Sequence, residues 1–164
     1  MQDINNTGNR LLSIHLDETS IARGTPDQEH ERIIAIYDLI EDNVFKLDNG
    51  KIGPYALHLG LNSNRLVFDI RDEQNEPVFA HVLSLSPFRT VIKDYFMICA
   101  SYYDAIRNAS ADKIEAIDMT RRGLHNEGAD LVRERLNGKV TIDFNTSRRF
   151  FTLIVALSWT GRET

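Results

Sequence analysis

Between Tyr55 and Leu85 the chain carries three strand patterns in succession, joined by connections too short for anything but antiparallel pairing. Tyr55, Leu57, Leu59 and Leu61 alternate with Ala56, His58 and Gly60, and Leu66, Phe68 and Ile70 alternate with Val67, Asp69 and Arg71. A turn centred on Ser63-Asn64 pairs Leu61 with Leu66, Leu59 with Phe68 and Leu57 with Ile70, and sets His58 opposite Asp69 on the other face. Moving the turn centre back one residue keeps the apolar face but puts Val67 opposite His58. The third strand, about Val78 to Leu85, follows the polar turn Glu73-Gln74-Asn75-Glu76-Pro77. A four-residue loop places His81 on the Leu/Phe face and a five-residue loop on the other; both remain open.

Around this meander the other elements fall in order. Leu12, Ile14 and Leu16 alternate with Ser13 and His15 in a half-buried strand from Arg10 to Asp17. Thr25-Pro26-Asp27-Gln28 has the parts of a helix start: a capping threonine, proline at the first position, an acid at the positive dipole end and the glutamine of a capping box. Ile33, Ile36, Tyr37, Ile40 and Val44 follow as the apolar stripe, ending near Asn43. Ser86-Pro87 opens the longest helix, to about Asn108, whose stripe Phe88, Ile92, Tyr95, Cys99, Tyr102 and Ile106 marks it as the core helix. Val140 to Phe144 is a short strand, and Asn145 caps an apolar segment from Thr146 to Ser158. That segment is expected as a helix, buried in the core or in a subunit interface, although its β-branched content leaves a strand open.

The densest polar cluster is Ile114 to Leu136. One continuous helix there carries Gly123 and Gly128 internally, at about 1 kcal/mol each against alanine. A break at Gly123, with Asn126 capping a second helix, places more residues and is the expected form. The break gathers Arg121, Arg122, His125 and Asn126 around free backbone N–H groups, a combination able to bind a small anion. Helix capping and an i,i+4 pair between Asp118 and Arg122 account for the same residues without a ligand.

The expected architecture is therefore α+β: an antiparallel sheet of four to five strands with helices packed on it, in the order strand, helix, three-strand meander, long helix, broken helix, strand, apolar helix. Residues 1–9 are expected as a disordered tip and 10–164 as a single domain.

Composition removes several functions. The net charge of −5 argues against duplex nucleic acid, although residues 83–164 carry 12 basic against 10 acidic side chains and residues 1–82 carry 7 against 14. An anion is therefore sought on the C-terminal half. No apolar run is long enough to span a membrane, and the single cysteine fits a reducing compartment, so the cytoplasm is expected. Phosphate loop, dinucleotide fingerprint, nucleophile elbow and cysteine zinc motif are all missing, which leans away from an enzyme and implies no cofactor. Two lesser constellations are Asp27, His30 and Glu31 at helical spacing, and His15, His58 and Asp69 if their strands are neighbours. Either set has metal-ligand chemistry, and the second also suits a proton relay. But the first lacks a double-histidine helix motif, isolated histidines like those of the second are common on a half-exposed sheet face, and no metal is expected. Cys99 reads as a buried, inert thiol.

At TPDQEHER with the following AIYDLIEDN, at LVFDIRDE, PFRTVIKDYFMICASYYDAI, IEAIDMTRRGLHNEG and DFNTSRRFFTLIVAL, the chain resembles the small alphaproteobacterial proteins grouped as uncharacterised protein family 0262. The likeness runs from about Leu12 to Trp159. It implies a single soluble bacterial domain with no established activity, cofactor or catalytic residues, so no family site is carried over. From the residues themselves the first expectation is a protein-interaction or regulatory module, a homodimer through its apolar C-terminal segment or a sheet edge. The alternative is a protein or enzyme that takes a phosphate- or carboxylate-bearing ligand at Arg121, Arg122 and His125.

Overall fold

A computed structural model of the chain describes residues 8–158, and the expected N-terminal tip falls mostly outside them. The elements are β1 (Leu11–Leu16), α1 (Pro26–Glu41), β2 (Phe45–Leu47), β3 (Tyr55–Asn62), β4 (Arg65–Arg71), β5 (Pro77–Ser84), α2 (Arg89–Asn108), α3 (Ala111–Leu136), β6 (Val140–Ile142) and α4 (Phe144–Ser158). The fold is α+β, with β1-β3-β4-β5 as one sheet and β2-β6 as a separate ribbon.

The meander has the expected register: Leu61 faces Leu66, Leu59 faces Phe68, Leu57 faces Ile70 and His58 faces Asp69. His81 stands opposite Phe68 and so takes the core face, after a register shift between Ile70 and Arg71. The main sheet is not purely antiparallel, however. β1 pairs parallel to β3, because α1 carries the chain back across the sheet before β3 begins. The expected fifth strand, β6, pairs instead with β2, a three-residue strand too short to leave a periodic signal.

The apolar C-terminal segment is a helix, and it belongs to the core. Phe150, Phe151, Leu153 and Ile154 are each at most 2% exposed, and Phe150 meets Phe68 of the sheet at 6.0 Å between ring centroids. Burial of such side chains contributes roughly 1.5–3 kcal/mol each. The helix begins at Phe144, with the Asp143 carboxylate rather than Asn145 accepting the Thr146 N–H at 2.9 Å. α4 packs against both α1 and α3, and α2 packs on α3.

Three helical expectations are corrected. α3 is continuous over 26 residues, with no break at Gly123 and no second cap at Asn126. Its Ala129, Val132 and Leu136 are buried, and Gly128 lies against Phe151 of α4, so packing outweighs the helix cost of the glycines. α3 rather than α2 is thus the longest helix. α2 buries Val91, Ile92 and Ala105 while its later stripe is only half-covered, so α4 and not α2 is the core helix.

α1 is rotated relative to the expected stripe. Its buried positions are Gln28, Arg32, Ala35 and Leu39, whereas Ile33 is 64% and Tyr37 63% exposed. The polar pair is satisfied inside. Gln28 closes the capping box with Thr25, and Arg32 donates to the Ala22 carbonyl at 2.9 Å and to Glu29 at 3.1 Å. Hydrogen bonds to the preceding loop thus turn a polar face inward and leave an apolar one in solvent.

Candidate functional site

α1 and α3 both pack on α4 rather than on one another, which leaves a cleft above α4 with α2 along one side. Its volume is about 510 Å³. Asp27, His30 and Glu31 line it from α1, Tyr95, Phe96, Cys99, Tyr102 and Tyr103 from α2, Arg121 from α3, and Thr152, Val155 and Ala156 from α4. Aromatic and aliphatic walls with a few charged groups, set between helices, are the usual make-up of a small-ligand site.

Arg121 is the most constrained of these groups. Its guanidinium forms an ion pair with Asp118 and lies over the Tyr102 ring, 5.0 Å from the centroid. Burial works against its charge, but the hydrogen bond and charge of Asp118 more than offset this and raise its pKa. Asp118 also meets Arg122 Nε at 3.2 Å, so one carboxylate serves two cations and the α3 wall keeps a surplus positive charge. Burial pushes the Tyr95 hydroxyl and the Cys99 thiol up, so both stay protonated at neutral pH.

The four residues expected as an anion site take separate places. Arg121 lines the cleft. Arg122 is exposed beside Asp118. His125 packs beneath, between Tyr95 and Phe151 at 5.7 Å each, with its Nε2 donating to the Arg148 carbonyl at 3.0 Å. Burial holds its pKa below the usual histidine value, with the Arg148 charge acting in the same direction. Asn126 accepts a hydrogen bond from Arg148. Since α3 does not break, no free N–H groups join them.

Asp27, His30 and Glu31, whose spacing suits a metal face, join Arg121 in the cleft with Tyr95, Cys99 and Tyr102 of the expected core stripe and Tyr103 beside it. The tyrosines carried the clue. The two hydroxyls on that stripe, of Tyr95 and Tyr102, each need a partner or water, which a fully buried stripe does not supply.

A second cluster lies on the outer face of the sheet. His15, His58 and Asp69 occupy one row across β1, β3 and β4, and the two imidazoles stack at 4.6 Å. Burial lowers the His58 pKa, with neighbouring His15 adding to the effect. Asp69, however, is held by Arg71 at 2.8 and 3.1 Å, and His15 bonds to Ser13 at 3.1 Å. No hydrogen bond joins the three into a relay, and among the described residues no three His, Cys, Asp or Glu side chains are arranged to hold a metal ion. No helix among the described residues is long and apolar enough to cross a membrane.

The profile that matches this chain is described as an uncharacterised protein family, UPF0262, and it covers residues 8–160. A UPF0262 protein of Bradyrhizobium sp. (strain ORS 278) is 61% identical over 154 residues, 93% of this chain and 92% of the relative. One of Rhodopseudomonas palustris (strain BisB18) is 59% identical over 160 residues, 98% of each chain. No solved structure matches significantly.

Proposed function

The chain belongs to the uncharacterised protein family UPF0262, and from that footing we propose that it is a cytoplasmic binding protein whose cleft takes a small carboxylate- or phosphate-bearing ligand at Arg121. The observation that carries this is the cleft itself, of about 510 Å³, with an aromatic wall and a guanidinium already oriented by Asp118 and Tyr102. A preoriented guanidinium loses little freedom on binding, and its planar fork matches a carboxylate or phosphate. Calorimetric titration with benzoate and phenyl phosphate tests the reading, with Arg121→Gln as control. Saturable binding weakened at least tenfold in the variant supports it; binding indifferent to the substitution defeats it.

A second reading, a homodimer or a complex with a protein partner, is favoured by one observation: α1 presents Ile33, Ile34 and Tyr37 to solvent. α4, expected to supply such an interface, is already covered within the chain.

A further inference from the structure

The two walls of the cleft carry opposite charge. Asp27 and Glu31 stand one turn apart on α1, and neither forms an ion pair among the described residues. His30 lies beside them. On α3, Arg121 and Arg122 share the single carboxylate of Asp118. Between the walls lie Tyr95, Phe96, Tyr102 and Tyr103. Packed helices sit about 8–10 Å apart, so α1 and α3, which pack on α4 and not on each other, are separated by more than one such distance and by at most about twice it. No ion pair joins Asp27 or Glu31 to Arg121, so the opposite charges face one another across the cleft without touching.

Resting on the ligand reading above, we propose that the cleft selects a bipolar ligand. Its cationic group meets Asp27 and Glu31, its aromatic or apolar body lies among the tyrosines, and its carboxylate or phosphate meets Arg121. A ligand with one charge gains at one wall only and faces like charge at the other. A ligand with both gains at each end, and a rigid aromatic spacer keeps the charges from pairing with each other. The α-amino and carboxylate groups of an ordinary amino acid stand too close together to reach both walls.

The test is calorimetry at low ionic strength with three probes of one shape: 4-(aminomethyl)benzoate, 4-methylbenzoate and benzylamine. The bipolar probe is expected to bind at least tenfold tighter than either single-charged one. In the double variant Asp27→Asn, Glu31→Gln it is expected to fall to the level of 4-methylbenzoate, whose own binding does not weaken. Equal affinity of 4-methylbenzoate and the bipolar probe overturns this inference and leaves the Arg121 site standing. Equal affinity of benzylamine and the bipolar probe overturns it as well. Failure of all three to bind overturns both this inference and the ligand reading.

Discussion

Gly128 of α3 and Phe151 of α4 face each other with no room for a side chain between them: a Cβ at Gly128 would overlap the Phe151 ring. This contact sets the approach of the two helices. It also sets the place of the His125–Tyr95–Phe151 ring cluster beneath the cleft.

The two glycines of α3 should therefore respond oppositely to alanine. Nothing lies within 4 Å of a Cβ at Gly123, so Gly123→Ala gains helix propensity and stabilises by up to about 1 kcal/mol. Gly128→Ala forces the helices apart or strains Phe151, costing about 1–3 kcal/mol. Urea denaturation of both variants checks this, and equal shifts would contradict the packing described.

Asn43 ties the end of α1 to β1. Its carbonyl oxygen accepts the Leu11 N–H at 2.8 Å, and its amide donates to Leu39 and Leu11 carbonyls at 2.8 and 3.1 Å. Asn43→Ala strips buried backbone groups of their partners and should cost about 2–4 kcal/mol at about 1 kcal/mol per lost bond plus desolvation. Asn43→Asp keeps the acceptor, loses two donors and buries a charge, so it should be no more stable than the alanine variant. Thermal melts compare the two.

His125 makes stability depend on acid. Its folded pKa lies below the unfolded value of about 6.5, so the unfolded chain takes up the proton first as pH falls. Its contribution is complete above that pH and is lost as pH drops through the folded pKa. His125→Gln cannot titrate and keeps a donor for the Arg148 carbonyl. Unfolding free energy measured between pH 7 and pH 5 should fall less steeply in the variant. An unchanged slope would place the acid sensitivity elsewhere.

If α1 mediates assembly, Ile33 and Tyr37 carry it. Sedimentation velocity at micromolar concentration should show a dimer that Ile33→Glu with Tyr37→Glu converts to a monomer without loss of thermal stability. A monomeric parent protein removes this second reading.

The meander was legible because alternation, turn residues and apolar pairing agreed on one register, down to His58 opposite Asp69. α1 was recognised from its capping box but rotated wrongly. Periodicity counts apolar residues, and here Gln28 and Arg32 are inside because the loop before the helix supplies their acceptors. The break expected at Gly123 rests on local signals, the cost of two glycines and a cap at Asn126, whereas the partner that makes Gly128 fit, Phe151, is distant in sequence. The cleft was only half legible. Arg121 stood out for its charge, but Asp27, His30 and Glu31 join it through tertiary packing on α4 that no local pattern records.

Cys99, the single cysteine, lines the cleft and so reports on its occupancy from within. The most direct measurement is the rate of Cys99 alkylation by iodoacetamide across a titration with 4-methylbenzoate. If the cleft is the ligand site, the rate falls saturably with the probe, and Arg121→Gln shifts the half-effect to at least tenfold higher concentration. An alkylation rate unchanged at probe concentrations that saturate binding by calorimetry would place the ligand outside the cleft and contradict the account.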